Sequence, residues 1–157
     1  MQAGGTGPNP NYAKVWPGVT GHAESVQSSD DPDWIAEGDL LGILFTTHDP
    51  TQLNGQGNDV GTQYRSAIFY SSPEEKALAE RVIAEVANER IWPGKIVTTL
   101  EPLKAFYPAE EYHQNYYERY EKGSDGERAS MNSGYCRFII EPKVRKFREK
   151  YASRLKK

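Results

Sequence analysis

Two polar stretches hold the residues of this sequence best suited to chemistry. One is Thr20-Gly21-His22-Ala23-Glu24; the other runs from His48-Asp49-Pro50-Thr51-Gln52 to Gly57 through Ser66 and contains Asp59 and Tyr64. Carboxylates and tyrosines on loops can protonate or hydrogen-bond an oxygen. Each also has a plainer use: Glu24 as a solvated loop acid, Asp59 as a turn residue bonding its own backbone, Tyr12 and Tyr64 as amphipathic packing residues. Other chemistries are poorly served. His22, His48 and His113 are too far apart in sequence to suggest convergent ligands, so no metal is expected. The glycines from Gly55 to Gly61 lack the lysine and the strand-to-helix context of a phosphate loop, and no serine occupies a nucleophile elbow. The single cysteine, Cys136, excludes an intrachain disulfide and a two-thiol redox cycle within the chain. Inside the apolar run Tyr135 to Ile140 it reads as a small buried hydrophobe, not an activated thiolate.

The elements that would carry these residues are short. Gly4 to Gly21 is rich in Gly and Pro and reads as loop. A strand is expected over Ala23 to Ser28, then a short helix capped by Asp39 and running through Leu40, Ile43, Leu44 and Phe45. After the polar loop, Ser66 to Tyr70 reads as a strand. Ser72-Pro73-Glu74-Glu75 is a strong helix start: Ser72 can accept from the Glu75 amide, Glu75 can answer, and Pro73 suits the first turn. Leu78, Val82 and Val86 then form its buried stripe. Ile96 to Thr99 is expected to be a strand ending at Glu101-Pro102. Pro108 opens a helix in which Tyr112, Tyr116 and Tyr120 recur every fourth residue. Lys122 to Gly134 reads as a mobile loop, Tyr135 to Ile140 as a strand, and Pro142 onward as a last helix with Val144, Phe147, Tyr151 and Leu155 inward. The pattern predicts an α+β protein, a two-layer sandwich of helices on a mixed sheet, with residues 1–157 as a single domain.

Charge and hydropathy narrow the classes further. The net charge of −3 argues against nucleic-acid binding by the domain as a whole, although Lys143 to Lys157 is strongly basic. A salt-dependent contact with an acidic partner is one use of that helix, and a solvated face is the simpler one. The longest apolar run, Leu40 to Phe45, is too short to span a membrane, and the first residues lack a signal peptide's basic start and apolar stretch. A cytoplasmic protein is the expectation.

Four runs carry a resemblance. Gly21-His22-Ala23-Glu24, His48-Asp49-Pro50-Thr51-Gln52, Gly57-Asn58-Asp59-Val60-Gly61-Thr62-Gln63-Tyr64-Arg65-Ser66 and Phe106-Tyr107-Pro108-Ala109-Glu110 with Tyr112-His113-Gln114 are similar, in order and spacing, to peptide methionine sulfoxide reductase A. Gly4-Gly5, Asn9 to Tyr12 and Tyr135-Cys136 fit the same family. The resemblance implies reduction of methionine S-sulfoxide, free or in peptides and proteins, by attack of a cysteine thiolate on the sulfoxide sulfur. It implies no bound cofactor, an external thiol reductant of the thioredoxin or dithiothreitol type, and a monomer. Glu24 would protonate the sulfoxide oxygen, as a carboxyl kept protonated by burial. Tyr12 and Tyr64 would donate hydrogen bonds to that oxygen, and Asp59 would help to hold the pocket. The family's nucleophile lies in a Gly-Cys-Phe-Trp motif that this sequence does not contain. The expectation is therefore a family fold lacking its first strand and helix, N-terminally truncated before the nucleophile and inactive as given. Cys136 is the one possible thiol, and a non-catalytic module that binds oxidised methionine is the alternative.

Overall fold

The computed structural model describes residues 2–5 and 10–155, with Gln2 and Tyr12 described by their backbone only. Lys156 and Lys157 of the basic terminus, and Asn9 of the family-like N-terminal run, lie outside the described residues. The protein is mixed α/β and packs as two compact units, residues 1–109 and 110–157.

The first unit contains all the strands of the described residues, and they are short. β1 (Gln2–Ala3) is central, antiparallel to β2 (Ala23–Glu24) on one side and to β7 (Phe106–Tyr107) on the other. The register sets Gln2 opposite Glu24 and Tyr107. β3 (Gly55–Gln56) and β4 (Asp59–Val60) form a hairpin. β5 (Ala67–Tyr70) pairs in parallel with β6 (Thr99–Pro102). The strands thus form small separate sheets where the sequence suggested one mixed sheet. The strand expected over Ala23 to Ser28 stops at Glu24, and Val26 is exposed. The strand expected from Ile96 falls three residues later, because the parallel register sets Thr99 opposite Ala67 and Pro102 opposite Tyr70.

Two helices supply the core of this unit. α2 (Glu37–Thr47) follows the short helix α1 (Tyr12–Val15) in the chain. It starts two residues before the expected cap: Ala36 is the N-cap, and Asp39 lies in the first turn, where a negative charge favours the helix N-terminus. α3 (Pro73–Glu89) begins as read from the sequence, with Ser72 Oγ accepting from the Glu75 amide at 3.1 Å. Glu75 answers the amide of Ser71, not that of Ser72. Phe45, Val82 and Val86 are buried together, with Leu41, Ile68, Leu78, Ile83, Trp92 and Ile96 packed around them. Trp92 ties the next loop to this core by donating from Nε1 to the Phe45 carbonyl at 2.8 Å.

The second unit is helical throughout its regular elements. The tyrosine stripe is broken: Glu111–His113 is a 3₁₀ turn, Asn115 takes a left-handed conformation at φ 49°, and α4 (Tyr116–Lys122) starts afresh. Tyr112 is accordingly exposed. The expected loop holds a short helix, α5 (Asp125–Ala129), because Ser124 and Glu127 cap each other reciprocally. α6 (Ser133–Tyr135) leads into a π-helical turn, Cys136–Ile140, and then α7 (Glu141–Lys150). The strand expected over Tyr135 to Ile140 is therefore helix. Asn132 caps it by accepting from the Tyr135 amide, which starts a helical run that local β-propensity does not interrupt. Its π character has a local cause at Pro142, which has no amide to donate and whose ring crowds the carbonyl four residues back. The Glu141 amide bonds Cys136 O, five residues back, instead. Val144, Phe147 and Tyr151 are half-buried, whereas Leu155, expected inward, is exposed.

Candidate functional site

A 3₁₀ turn, Thr62–Tyr64, is the point on which the polar segments of the first unit converge. It packs against β2, which carries Glu24, and against β3 of the hairpin that carries Asp59. It is bonded to the turn that follows α1, the helix of Tyr12: Gln63 Nε2 donates to the Trp16 carbonyl at 2.7 Å and Thr62 Oγ1 to the Gly18 carbonyl at 3.2 Å. The elements bearing Tyr12, Glu24, Asp59 and Tyr64, distant in sequence, thus meet around one short turn. Tyr64 is half-buried and Asp59 exposed. The side chain of Tyr12 lies outside the described residues.

Glu24 departs from expectation. It is exposed, not buried, because β2 alternates: Ala23 faces inward at 2% exposure and Glu24 faces the other way. The buried titratable group of that segment is His22, at 1% exposure. Its ring meets Tyr107 edge-on at 5.7 Å, and neither ring nitrogen has a hydrogen-bond partner among the described residues. Burial first, and then the Arg65 guanidinium, holds its pKa below the usual imidazole value, so His22 is neutral at pH 7.

Two polar anchors fix the chain on either side of Tyr64. Arg65 forms a paired contact with Glu101 on β6, Nε to Oε1 and Nη2 to Oε2 at 3.0 Å each, while its Nη1 donates to the Thr62 carbonyl. The Arg65 hydrogen bonds hold the Glu101 carboxyl below its ordinary value, against a smaller opposing effect of burial. Ser66 is buried and belongs to a second chain of bonds. His48 Nδ1 is 2.9 Å from the Leu44 carbonyl, which can only accept, so this nitrogen carries the proton. Neutral His48 then accepts at Nε2 from Ser66 Oγ at 2.9 Å, and Ser66 accepts from Thr98 Oγ1 at 2.8 Å. Burial keeps His48 below the usual imidazole value, outweighing the Leu44 carbonyl and Asp49, which pull the other way. Asp49 is itself held low, chiefly by Thr51, whose hydroxyl donates to it at 2.6 Å.

Sequence reasoning did not single out Gln63, Arg65, Glu101 or the His48-Ser66-Thr98 chain. His48, Gln63, Arg65 and Ser66 lie in the two polar runs, so a local signal was there for them, whereas Thr98 and Glu101 lie outside those runs. Cys136, the one thiol, lies in the second unit, is fully buried, and has its pKa pushed up by burial and then by Glu141. Such a thiol is a poor nucleophile. Among the described residues no group of three or more His, Cys, Asp and Glu is arranged to hold a metal ion, and no helix is long and apolar enough to cross a membrane.

Fold and site together define a mixed α/β protein whose polar segments gather around one short turn. The family model for peptide methionine sulfoxide reductase matches residues 2–155, and the chain belongs to that family. It is 48% identical over 153 residues to the peptide methionine sulfoxide reductase MsrA of Deinococcus radiodurans, a match covering 98% of this chain and 69% of that protein. It is 47% identical to the MsrA of Nautilia profundicola, covering 92% of this chain and 76% of that one. Among solved structures it is similar to Mxr1 from Saccharomyces cerevisiae in reduced form, with a TM-score of 0.70 and 38% identity over 78% of this chain and 70% of that chain. Methionine sulfoxide reductase A of Corynebacterium diphtheriae gives 0.65 and 35%, over 78% of this chain and 63% of that one. The chain is thus an oxidoreductase of the methionine sulfoxide reductase kind. The matches carry the family and do not support the expectation of a truncated, inactive chain.

Proposed function

We propose that this chain serves the thiol-dependent reduction of methionine S-sulfoxide, free or in peptides and proteins, to methionine. The observation that carries the reading is the convergence of the Tyr12, Glu24, Asp59 and Tyr64 elements on the Thr62–Tyr64 turn. Sulfoxide oxygen gains basicity as a thiolate attacks the sulfur, so donors already aimed at it stabilise the transition state more than the ground state. Tyr12 and Tyr64 are the hydroxyl donors in this reading, Asp59 holds the pocket wall, and Glu24 supplies the proton with which the oxygen leaves as water. In this reading substrate closing over Glu24 removes water and favours the protonated carboxyl, so that it holds the proton it donates. Burial of Cys136 supports an attacking thiolate other than Cys136. An external dithiol of the thioredoxin or dithiothreitol type completes the electron balance, two thiols becoming one disulfide as the sulfoxide becomes sulfide and water. Residues 1–157 act as one domain, a monomer in the cytoplasm; the unbroken family match supports the single domain.

The test is reduction of a methionine S-sulfoxide peptide with excess dithiothreitol, beside Cys136→Ser and Glu24→Gln, together with calorimetric binding of the same peptide. Turnover lost in Glu24→Gln and kept in Cys136→Ser is the expected result; turnover lost in Cys136→Ser overturns the assignment of the thiol. Binding with proton uptake that disappears in Glu24→Gln, without turnover, favours the second reading, a module that binds oxidised methionine. That reading rests on the burial of the only thiol in the sequence. Absence of any preference for sulfoxide over methionine overturns both.

A further inference from the structure

We propose that Gln63, assisted by Thr62, is the positioning residue that locks the end of helix α1 onto the turn bearing Tyr64, and so sets the spacing of the two oxygen donors. The inference rests on the reading of Tyr12 and Tyr64 given above. Gln63 is buried at 5% exposure, yet its hydrogen bond to Trp16 spans 47 positions of sequence. The carbonyl it reaches belongs to the residue just after α1, one of those a helix end leaves without an internal partner. Gly18 closes that end by donating to the Val15 carbonyl at 2.8 Å with φ at 75°, and its own carbonyl takes the Thr62 hydroxyl. Two bonds from adjacent residues of the turn therefore grip two carbonyls of the α1 terminus.

The carboxamide has been given room to do this in one orientation only. A Cβ on Gly18 would stand 2.8 Å from Oε1. One on Gly61, at φ 152°, would stand 2.7 Å from Cδ and 2.8 Å from Nε2, and closer still to Oε1. Turning the amide over would set Oε1 against the Trp16 carbonyl, acceptor facing acceptor. Among the described residues Oε1 is left buried without a partner. An apolar side chain of equal size would fill the slot without that orphan atom. What the amide adds is a directional bond that fixes where α1 ends relative to Tyr64. Gln63 acts through the donors it spaces.

The experiment uses the full chain and N-acetylmethionine S-sulfoxide as probe, with N-acetylmethionine as its sulfide control. Gln63→Met keeps the volume and removes the donor; Thr62→Val alters an exposed side chain and carries the test if Gln63→Met does not fold. Each is read by hydrogen exchange over residues 12–20 and by the ratio of sulfoxide to sulfide affinity. Gln63→Met is expected to speed exchange there and to lower the ratio, each by about tenfold, the effect of one lost hydrogen bond. Thr62→Val moves both in the same direction by less. Tyr64→Phe separates the two levels of argument. If it leaves the ratio unchanged, the donor reading fails. If it lowers the ratio while Gln63→Met and Thr62→Val change neither exchange nor ratio, the positioning role of Gln63 is overturned.

Discussion

Gly5→Ala should disrupt the site from beneath, because the buried His22 ring occupies the space a methyl would need. An ideal Cβ on Gly5 would stand 2.6 Å from His22 Cε1, and nearer still to Cγ and Nδ1. Ordinary contacts of that kind begin at 3.4 Å, so either β1 or the imidazole must move by most of an ångström. Neither moves freely: Ala3, two residues before Gly5, is fully buried in the central strand, and the ring meets Tyr107 edge-on. Overpacking of a tight interior costs about 1–3 kcal/mol. Gly5→Ala should therefore destabilise by that amount in urea denaturation, with the midpoint lowered and the slope unchanged. His22→Ala in the same chain removes the obstacle. The double variant should be more stable than the sum of the single effects by about 1–3 kcal/mol, the size expected for side chains in direct contact. Additivity within about 0.5 kcal/mol would refute the claim that the glycine is needed because of the histidine. Since β1 sets Gln2 opposite Glu24, Gly5→Ala should also weaken sulfoxide binding.

Two further outcomes concern charge. His22 and His48 both have folded pKa values below the unfolded imidazole value of about 6.5, so the folded protein binds fewer protons than the unfolded chain. The stability they confer is complete above that value and is lost as pH falls through their lowered folded values; urea midpoints that do not fall between pH 7.5 and 5.5 would contradict this. Glu101→Gln removes the charge that receives two Arg65 bonds and one from Thr99, and should cost about 1.5–3 kcal/mol at pH 7. Because the Glu101 carboxyl is held low, its stabilisation is present above the ordinary carboxylate range and lost below it. The variant should accordingly show a smaller acid-induced loss than the parent in denaturation at pH 3.

What could be read locally was what depends on neighbours in sequence. The start of α3 follows from Ser72, Pro73 and Glu75, whose capping bonds reach no farther than four residues. The apolar stripe Leu78, Val82 and Val86 follows from the helical repeat, and it does face the core. The family likeness was also legible, in four runs of the sequence. The rest depended on partners brought from a distance. Periodicity joined three tyrosines into one helix, but the left-handed Asn115 between them is a backbone event that residue spacing does not encode. Aromatic and β-branched residues made Tyr135 to Ile140 read as a strand. With Asn132 starting a helical run before them and Glu141 and Pro142 continuing it after them, they became helix.

The site divides in the same way. Sequence alone determined which side chains can donate to or accept from an oxygen, because residue type fixes that; which of them would meet a sulfoxide came only as what the family resemblance implies. Only the tertiary structure decided that β2 turns Ala23 inward and Glu24 to solvent, since alternation is fixed by which face the sheet buries, and that His22, just before the strand, is buried. Only it decided that Gln63 would reach Trp16 and Arg65 would reach Glu101, bonds that span 47 and 36 positions of chain. A hydrogen bond acts over about 3 Å, whereas its partners here are tens of residues apart, so nothing in the local order of the sequence specifies the pairing.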